Sequence, residues 1–268
     1  MAMDILKRNH VTVLGSGSQT IIFGHGFGCD QEMWRLVAPR FADRYRVVLF
    51  DYVGSGLSQL DQYDPAKYSS LKGYARDLLD VIETLDTTDI IFVGHSVSSM
   101  IGALAATLHP EYFDRLVMVG PSPRYLNDLP DYYGGFDRED IDELLEMMQL
   151  NFSGWASYMA PAIMKNADRA ELADELERQF ASRDPRIARQ FAEVTFYCDC
   201  RDILADVKVP TLIMQCADDS IAPLEVGDYL HRNLRGSTLS RLTAKGHYPQ
   251  LSQPEETYTQ IDQYLAGL

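Results

Sequence analysis

One short segment of the chain has the pattern of an exposed nucleophile. Residues 94–98 read G-H-S-V-S, with Ser96 at the centre. An apolar run precedes the segment and a stretch rich in Ala, Gly and Ser follows it, so we predict a strand, a sharp turn and a helix. The residues two places before and after the serine must be small in such a turn, and Ser98, where glycine is usual, is small enough. The pattern favours Ser96 as a nucleophile over a serine that only caps a helix.

A serine hydroxyl becomes a useful nucleophile only when a base takes its proton. Three histidines follow Ser96 in the chain: His109, His231 and His247. The first ends a helical pattern and the second lies within another, whereas His247 follows a glycine in a loop. That loop comes after residues 237–243, which we predict to be the last strand. Its position at the edge of the sheet favours His247 as the base over a structural surface histidine.

A carboxylate is then needed to fix the tautomer of the imidazole and to stabilise the imidazolium. Asp218 and Asp219 both follow the predicted strand over residues 211–215. Both also lie between the serine and the histidine, which is the chain order of serine hydrolases built on a parallel sheet. The spacing alone leaves both carboxylates as candidates.

A glycine-rich segment after the first buried run is a candidate for binding an oxyanion. Residues 25–28 read H-G-F-G, and glycines allow a loop to approach a ligand closely. We expect the backbone N–H groups of Phe27 and Val97 to face the negative oxygen of a tetrahedral intermediate. The alternative is an ordinary glycine turn.

The composition excludes several classes of function. Lys and Arg number 24 against 39 Asp and Glu, a formal charge of −15, so a nucleic-acid partner, which needs a basic face, is not expected. The four cysteines lack zinc-site or redox spacing, which predicts free thiols in a reducing cytoplasm. We see no signal-peptide pattern, and the longest apolar run, near residues 100–108, is too short for a bilayer. We therefore expect a cytoplasmic protein with no membrane, metal or cofactor.

The alternation of apolar runs and helical patterns predicts an α/β fold with a mostly parallel sheet flanked by helices. Between residues 124 and 201 the alternation stops, and only helical patterns occur, with prolines at 161 and 185 that suit helix starts. We interpret residues 124–201 as a helical lid inserted into a core of residues 1–123 and 202–268. The predicted strands cover residues 20–24, 46–51, 89–94, 116–120 and 211–215; the predicted helices cover residues 71–85, 97–108, 224–234 and 255–265 outside the lid and 141–150, 154–164, 169–181 and 185–197 within it.

Several motifs spread over the whole chain together resemble one family. The sequence is similar to the RsbQ-like α/β-hydrolases of bacterial stress responses and to the plant karrikin and strigolactone receptors of the same clade. The matching segments are R-N-H-V at 8–11, G-H-G-F-G-C-D-Q at 24–31, F-D-Y-V-G-S-G at 50–56, G-H-S-V-S at 94–98, P-S-P-R-Y-L-N-D at 121–128, Y-G-G-F at 133–136, Q-C-A-D-D at 215–219 and G-H at 246–247.

The resemblance implies more than the residues do. It selects Asp219, since the family's acid falls four residues after the glutamine, and it implies a four-helix lid over a deep apolar pocket. It places Phe136, Trp155 and Phe196 at that pocket, together with Phe27 and Val97. It also implies a signalling role as a positive regulator that acts with an RsbP-like serine phosphatase carrying a PAS domain.

Together these patterns predict a serine hydrolase for a small hydrophobic ester or lactone, acting without a cofactor. Epoxide hydrolases and dehalogenases of this fold need a carboxylate where Ser96 stands, so both are disfavoured. C–C bond hydrolysis and acyl transfer use the same three side chains and stay open. The alternative function is a ligand-sensing receptor with little turnover.

Overall fold

The computed structural model describes residues 4–267, and its centre is a seven-stranded sheet. The spatial order of the strands is β1-β3-β2-β4-β5-β6-β7; β1 pairs antiparallel with β3, and the other five pairings are parallel. The strands are β1 (Thr12–Leu14), β2 (Thr20–Gly24), β3 (Arg46–Leu49), β4 (Ile90–His95), β5 (Phe113–Val119), β6 (Thr211–Gln215) and β7 (Ser237–Arg241).

Helices cover both faces of this sheet and form a separate group above one end of it. The α-helices are α1 (Ile5–Arg8), α2 (Leu71–Thr84), α3 (Val97–Leu108), α4 (Arg138–Leu150), α5 (Phe152–Met164), α6 (Ala170–Ala181), α7 (Pro185–Phe196), α8 (Leu224–Asn233), α9 (Pro249–Ser252) and α10 (Pro254–Ala266). The predicted α/β fold, a mostly parallel sheet flanked by helices with a four-helix lid, is confirmed.

The central strands are apolar throughout because both of their faces are covered. Every residue of β2, β4 and β6 is buried. Alternate side chains of a strand point to opposite faces. Ile22 and Phe92 therefore pack with residues of α2 and α3, whereas Ile21 and Val93 pack with Trp34 and with α10 on the other side. Runs of this kind are typical of buried parallel strands.

The lid consists of α4 to α7 and lies in the chain between β5 and β6. Its two ends meet: Arg124 and Asp199 form an antiparallel bridge and an ion pair. Next to them, the N–H of Cys200 donates a hydrogen bond to the carbonyl of Pro123 at 2.8 Å. The chain thus enters and leaves the lid at one place. Further contacts hold the lid to the core, such as the hydrogen bond from the N–H of His247 to the carbonyl of Ile163 at 3.0 Å and the ion pair between Arg183 and Asp30 at 2.7 Å.

The observed elements differ from the predicted ones in a few places. β1 was not predicted, because it has three residues at a sheet edge and none of them is fully buried. β5 begins at Phe113, before the predicted start at 116, and Pro161 lies inside α5 instead of starting a helix. Within residues 4–267, no helix combines the length and the apolar character needed to cross a membrane.

Candidate active site

Ser96 lies on a sharp bend between β4 and α3. Its backbone has φ 56° and ψ −125°, an unusual conformation for a residue with a side chain. The bend is held by a hydrogen bond from the N–H of Ser96 to the carbonyl of Val119 on β5, at 2.8 Å. α3 begins at the next residue, so the positive end of its dipole lies beside the serine, where it favours developing negative charge.

The two small residues that flank the Ser96 turn, Gly94 and Ser98, are there for different physical reasons. A Cβ on Gly94 would lie 2.6 Å from the carbonyl oxygen of Ser98, so only glycine fits there. Ser98 uses its hydroxyl: Oγ donates to the carbonyl of His25 and accepts a hydrogen bond from the Tyr52 hydroxyl at 2.9 Å. The departure from glycine thus ties the nucleophile turn to the loop that carries Phe27.

His247 follows β7 and lies between the serine and a carboxylate. The Ser96 hydroxyl donates to Nε2 of His247 at 2.7 Å, and Nδ1–H of His247 donates to Oδ2 of Asp219 at 2.7 Å. All three side chains are buried, with 5% of Ser96 exposed and 3% of His247. The structure therefore brings the three residues together in one line of hydrogen bonds.

The two consecutive aspartates have different surroundings. The Asp219 side chain is fully buried, and its second oxygen, Oδ1, accepts the N–H groups of Ile221 at 2.8 Å and Ala222 at 3.1 Å. Asp218 is more than half exposed and pairs with Lys165 at 2.6 Å. Only Asp219 faces the imidazole, and its backbone donors stabilise the ionised carboxylate in that orientation.

Two further histidines are buried beside the site and are neutral. The Nε2–H of His95 donates to the carbonyl of His247 at 2.7 Å, which fixes the loop that carries the proposed base. His25 donates from Nδ1 to the carbonyl of Gly26 at 2.9 Å and accepts the N–H of Tyr52 on Nε2 at 3.2 Å. Burial lowers the pKa of both imidazoles, and for His95 the neighbouring His247 lowers the pKa further.

The predicted oxyanion donors are both available. Within residues 4–267, neither the Phe27 N–H nor the Val97 N–H donates a hydrogen bond to another group of the chain. Phe27 follows Gly26, where a Cβ would lie 2.6 Å from Nδ1 of His95, so the loop runs very close to the nucleophile turn. Two unused donors beside a serine hydroxyl suit an oxygen that becomes negative during reaction.

A small cavity lies over Ser96, between the sheet and the lid. Its volume is about 20 Å³, roughly the room for one water molecule. Aromatic side chains fill most of the space: Phe27 packs against Trp155, Phe180 and Phe196 with ring centroids 6.0 to 6.2 Å apart. Any ligand larger than water therefore requires these rings to move.

The pocket residues implied by the resemblance are not all at this cavity. Phe27, Trp155 and Phe196 line it. Phe136 is not among the residues that line it, and its ring packs against that of Phe196, with the centroids 6.2 Å apart. Val97 is buried but contributes its backbone at the nucleophile turn and not its side chain to the lining.

Three polar residues at the cavity were missed by the sequence reasoning. The Tyr125 hydroxyl lies 3.5 Å from Oγ of Ser96, and burial raises its pKa well above the usual range. Tyr248 lines the cavity and its hydroxyl accepts a hydrogen bond from the Cys29 thiol at 3.6 Å. Thr195 lines the cavity from α7. Only Tyr125 had a signal in the sequence, since it falls within the matched segment 121–128.

A larger groove lies elsewhere, between α7 and the start of α2. Its volume is about 900 Å³, and charged residues such as Lys72, Arg186 and Glu193 line it. None of the residues that line it belongs to the hydrogen-bonded line of Ser96, His247 and Asp219. We therefore assign the candidate active site to the small cavity and not to this groove.

A parallel sheet covered by helices, a serine on a strained turn after a central strand and a helical insertion above it define an α/β-hydrolase type of protein. Residues 21–260 match the alpha/beta hydrolase family. The chain is 42% identical to the Karrikin insensitive 2 receptor CA of Petunia hybrida over 255 residues, 94% of both proteins. It is 38% identical to a strigolactone esterase of Arabidopsis thaliana, covering 98% of this chain and 96% of that protein.

Solved structures agree with this assignment. A hydrolase from Oleispira antarctica superposes with a TM-score of 0.96 at 40% identity, covering 99% of this chain and 97% of that one. An esterase from Exiguobacterium antarcticum has the same fold, with a TM-score of 0.88 over 96% of this chain and 94% of that one, at 23% identity. The chain belongs to the alpha/beta hydrolase family and is an enzyme of the hydrolase class.

Proposed function

We propose that the chain hydrolyses a small hydrophobic carboxylic ester or lactone, with Ser96 as nucleophile, His247 as base and Asp219 as the residue that orients the base. The observation that carries this proposal is the continuous line of hydrogen bonds, with His247 2.7 Å from both Ser96 Oγ and Asp219 Oδ2. The three side chains are arranged for proton transfer from the serine to the imidazole.

In the first half of the reaction, Ser96 Oγ attacks the ester carbonyl while its proton passes to Nε2 of His247. Asp219 accepts the Nδ1–H throughout and stabilises the imidazolium that forms. The negative oxygen of the tetrahedral intermediate faces the N–H groups of Phe27 and Val97. Loss of one such donor typically raises a barrier by about 2.7–4 kcal/mol. The proton on His247 then goes to the leaving alkoxide, which departs as an alcohol.

In the second half, a water molecule gives its proton to His247 and attacks the acyl group on Ser96. The bond between the acyl carbon and Ser96 Oγ then breaks, and His247 returns the proton to Oγ. The products are a carboxylic acid and the free serine; from a lactone, the product is one hydroxy acid. This sequence of steps needs no cofactor. C–C bond hydrolysis or acyl transfer would need another leaving group or acceptor, and the small apolar cavity favours neither over ester hydrolysis.

The substrate class rests on the walls of the cavity. Its aromatic and aliphatic lining favours an apolar substrate. A relative that is named a strigolactone esterase supports an ester or lactone as the group that reacts.

The direct test is hydrolysis of p-nitrophenyl esters together with labelling by a fluorophosphonate. The wild type should hydrolyse short esters and take up one label on Ser96. Ser96→Ala should lose both, with kcat lower by at least about 10³-fold. Ser99→Ala is the matched control. The Ser99 hydroxyl lies in the same turn but donates to the carbonyl of Gly94 at 2.9 Å, so this variant should keep the hydrolysis and the label on Ser96. A wild type that takes up no label contradicts the proposal.

A second candidate function is a ligand-sensing receptor with little turnover. It is favoured by a relative that is named a receptor and by the nearly closed cavity, since ligand binding must then move the aromatic side chains of the lid. Turnover of a ligand, measured beside its thermal shift, separates the two functions: a receptor is stabilised by a ligand that it hardly hydrolyses, whereas a hydrolase turns the same ligand over in the wild type and keeps it intact only in Ser96→Ala.

The signalling role implied by the RsbQ-like resemblance stays a prediction. It consists of action in the cytoplasm, as a positive regulator, with an RsbP-like PAS-domain serine phosphatase. Phosphatase activity measured with and without this chain, in the presence and absence of an ester ligand, tests it. No change in any combination contradicts that role and leaves the proposed hydrolysis untouched.

A further inference from the structure

Two residues that line the cavity each carry a polar atom with no hydrogen-bond partner within residues 4–267: Oγ1 of Thr195 and Nε1 of Trp155. Both residues are 1% exposed, so bulk water does not reach these atoms. A buried hydroxyl or indole N–H without a partner is costly. Whatever occupies the cavity therefore gains by supplying the missing hydrogen bonds.

The geometry of Thr195 is unusual for a threonine inside a helix. Helical threonines commonly turn the hydroxyl back to the carbonyl four residues earlier. Thr257 on α10 does so, with its Oγ1 donating to the carbonyl of Gln253 at 3.0 Å. Thr84 does the same with Asp80 at 2.7 Å. The Thr195 hydroxyl makes no such bond, so α7 leaves it free for a ligand.

We propose that the Thr195 hydroxyl, with the Trp155 indole N–H in the same cavity, determines specificity by binding a second oxygen of the substrate. The substrate class is then an ester or lactone that carries an ether, carbonyl or hydroxyl oxygen in addition to the scissile carbonyl. This inference rests on the proposed hydrolytic function and deepens it.

The hydrogen-bonding capacity of the two groups decides the polarity of this substrate oxygen. An indole N–H can only donate, and a threonine hydroxyl can donate as well as accept. An acceptor oxygen suits either group, whereas an all-carbon substrate leaves both unpaired. A site with buried polar groups discriminates strongly against an analogue that lacks their partner.

An oxygen scan of the acyl chain tests this proposal. p-Nitrophenyl hexanoate is compared with analogues in which one methylene at a time is replaced by an ether oxygen. The preference is the kcat/KM for the ether analogue divided by the kcat/KM for hexanoate. For at least one oxygen position, this ratio should be about tenfold higher in the wild type than in Thr195→Val. Thr195→Ser keeps the hydroxyl and should keep the preference. Thr257→Val, the same change at a buried helical threonine outside the cavity, should also keep it.

Binding to the Ser96→Ala protein separates this inference from the proposed chemistry. Calorimetry with the same esters, with and without Thr195→Val, should show about tenfold weaker binding of the favoured ether after the threonine is changed. Absence of hydrolysis by the wild type then counts against the function but not against the subsite. If proteins with Thr195 and with Thr195→Val show the same preference for the ether, in the kinetics and in the calorimetry, the proposed subsite is wrong. That result would indicate that trapped water satisfies the Thr195 hydroxyl.

Discussion

The floor and the roof of the cavity differ in how their polar groups are hydrogen-bonded. On the floor, at the ends of the strands, Ser96, His247 and Asp219 bond to one another and to backbone N–H groups. On the roof, α5 and α7 bring Trp155 and Thr195 to the cavity with no partner among the described residues.

This difference indicates that the floor carries out the reaction and that the roof recognises the ligand. On the floor, the hydrogen bonds among Ser96, His247 and Asp219 hold these three side chains in one arrangement, as proton transfer requires. On the roof, a ligand that supplies hydrogen bonds to the unpaired groups of Trp155 and Thr195 removes the cost of burying them without a partner. Changes on the floor should therefore alter the rate, and changes on the roof should alter the choice of substrate.

The largest effect is expected when the orientation of the base is broken. Asp219→Asn should lower kcat for p-nitrophenyl esters by about 10⁴-fold, because the amide favours the wrong tautomer of His247. Asp218→Asn, one residue earlier, removes only an exposed ion pair with Lys165 and should change kcat little. Steady-state kinetics of both variants measure the difference. Equal losses would contradict the assignment of Asp219.

On the roof, Phe180→Ala should change stability and substrate length together. The Phe180 ring is buried against Phe27 and Trp155, so its removal should lower the free energy of unfolding by about 3–5 kcal/mol and enlarge the cavity. The preferred ester should then shift to a longer acyl chain. Urea unfolding and kinetics over a series of ester lengths provide the two measurements.

Phe41→Ala is the matched control, since Phe41 is equally buried but lies on the other side of the sheet, against Phe23 and Tyr258. It should lose similar stability and keep the wild-type preference for chain length. If either alanine variant fails to fold, the corresponding leucine variants serve for the same comparison. If Phe180→Ala and Phe41→Ala both shifted the preferred acyl-chain length, the roof would not be the part that determines that length.

The smallest expected effect is on the pH dependence of stability, which arises from the buried histidines beside the floor. Burial lowers the pKa of His95 and His25 from the usual 6.5, so the folded chain keeps both neutral. Below pH 6.5 the unfolded chain binds protons that the folded chain does not, so stability falls as pH falls. Each histidine contributes a slope of up to about 1.4 kcal/mol per pH unit.

His95→Gln should make this slope shallower, and urea unfolding between pH 7 and 5.5 measures it. His231→Gln, a change at an exposed histidine on α8, is the control and should keep the wild-type slope. A slope that His95→Gln leaves unchanged would contradict the neutral state of this buried imidazole.

Local patterns were sufficient for the fold and for part of the candidate site. Buried parallel strands have continuous apolar runs in the sequence, and helices packed on a sheet have apolar residues at helical spacing. β2 and α3 therefore lie at their predicted positions. The serine turn is also a local feature, because β4, the small residues and α3 are adjacent in the chain. The short edge strand β1 was missed because a three-residue, half-exposed segment has almost no periodic signal.

By itself, the sequence determined the class of fold and the residue types available for chemistry, because strand, turn and helix signals act over neighbouring residues. The spacing left both Asp218 and Asp219 open, and the resemblance selected Asp219, which the structure places against His247. Only the tertiary structure decided that Phe136 packs against Phe196 and that the Thr195 hydroxyl has no partner among residues 4–267. These outcomes depend on how the lid helices and the loop after β6 pack against elements distant in the chain, where a rotation of one residue exchanges a buried side chain for an exposed one.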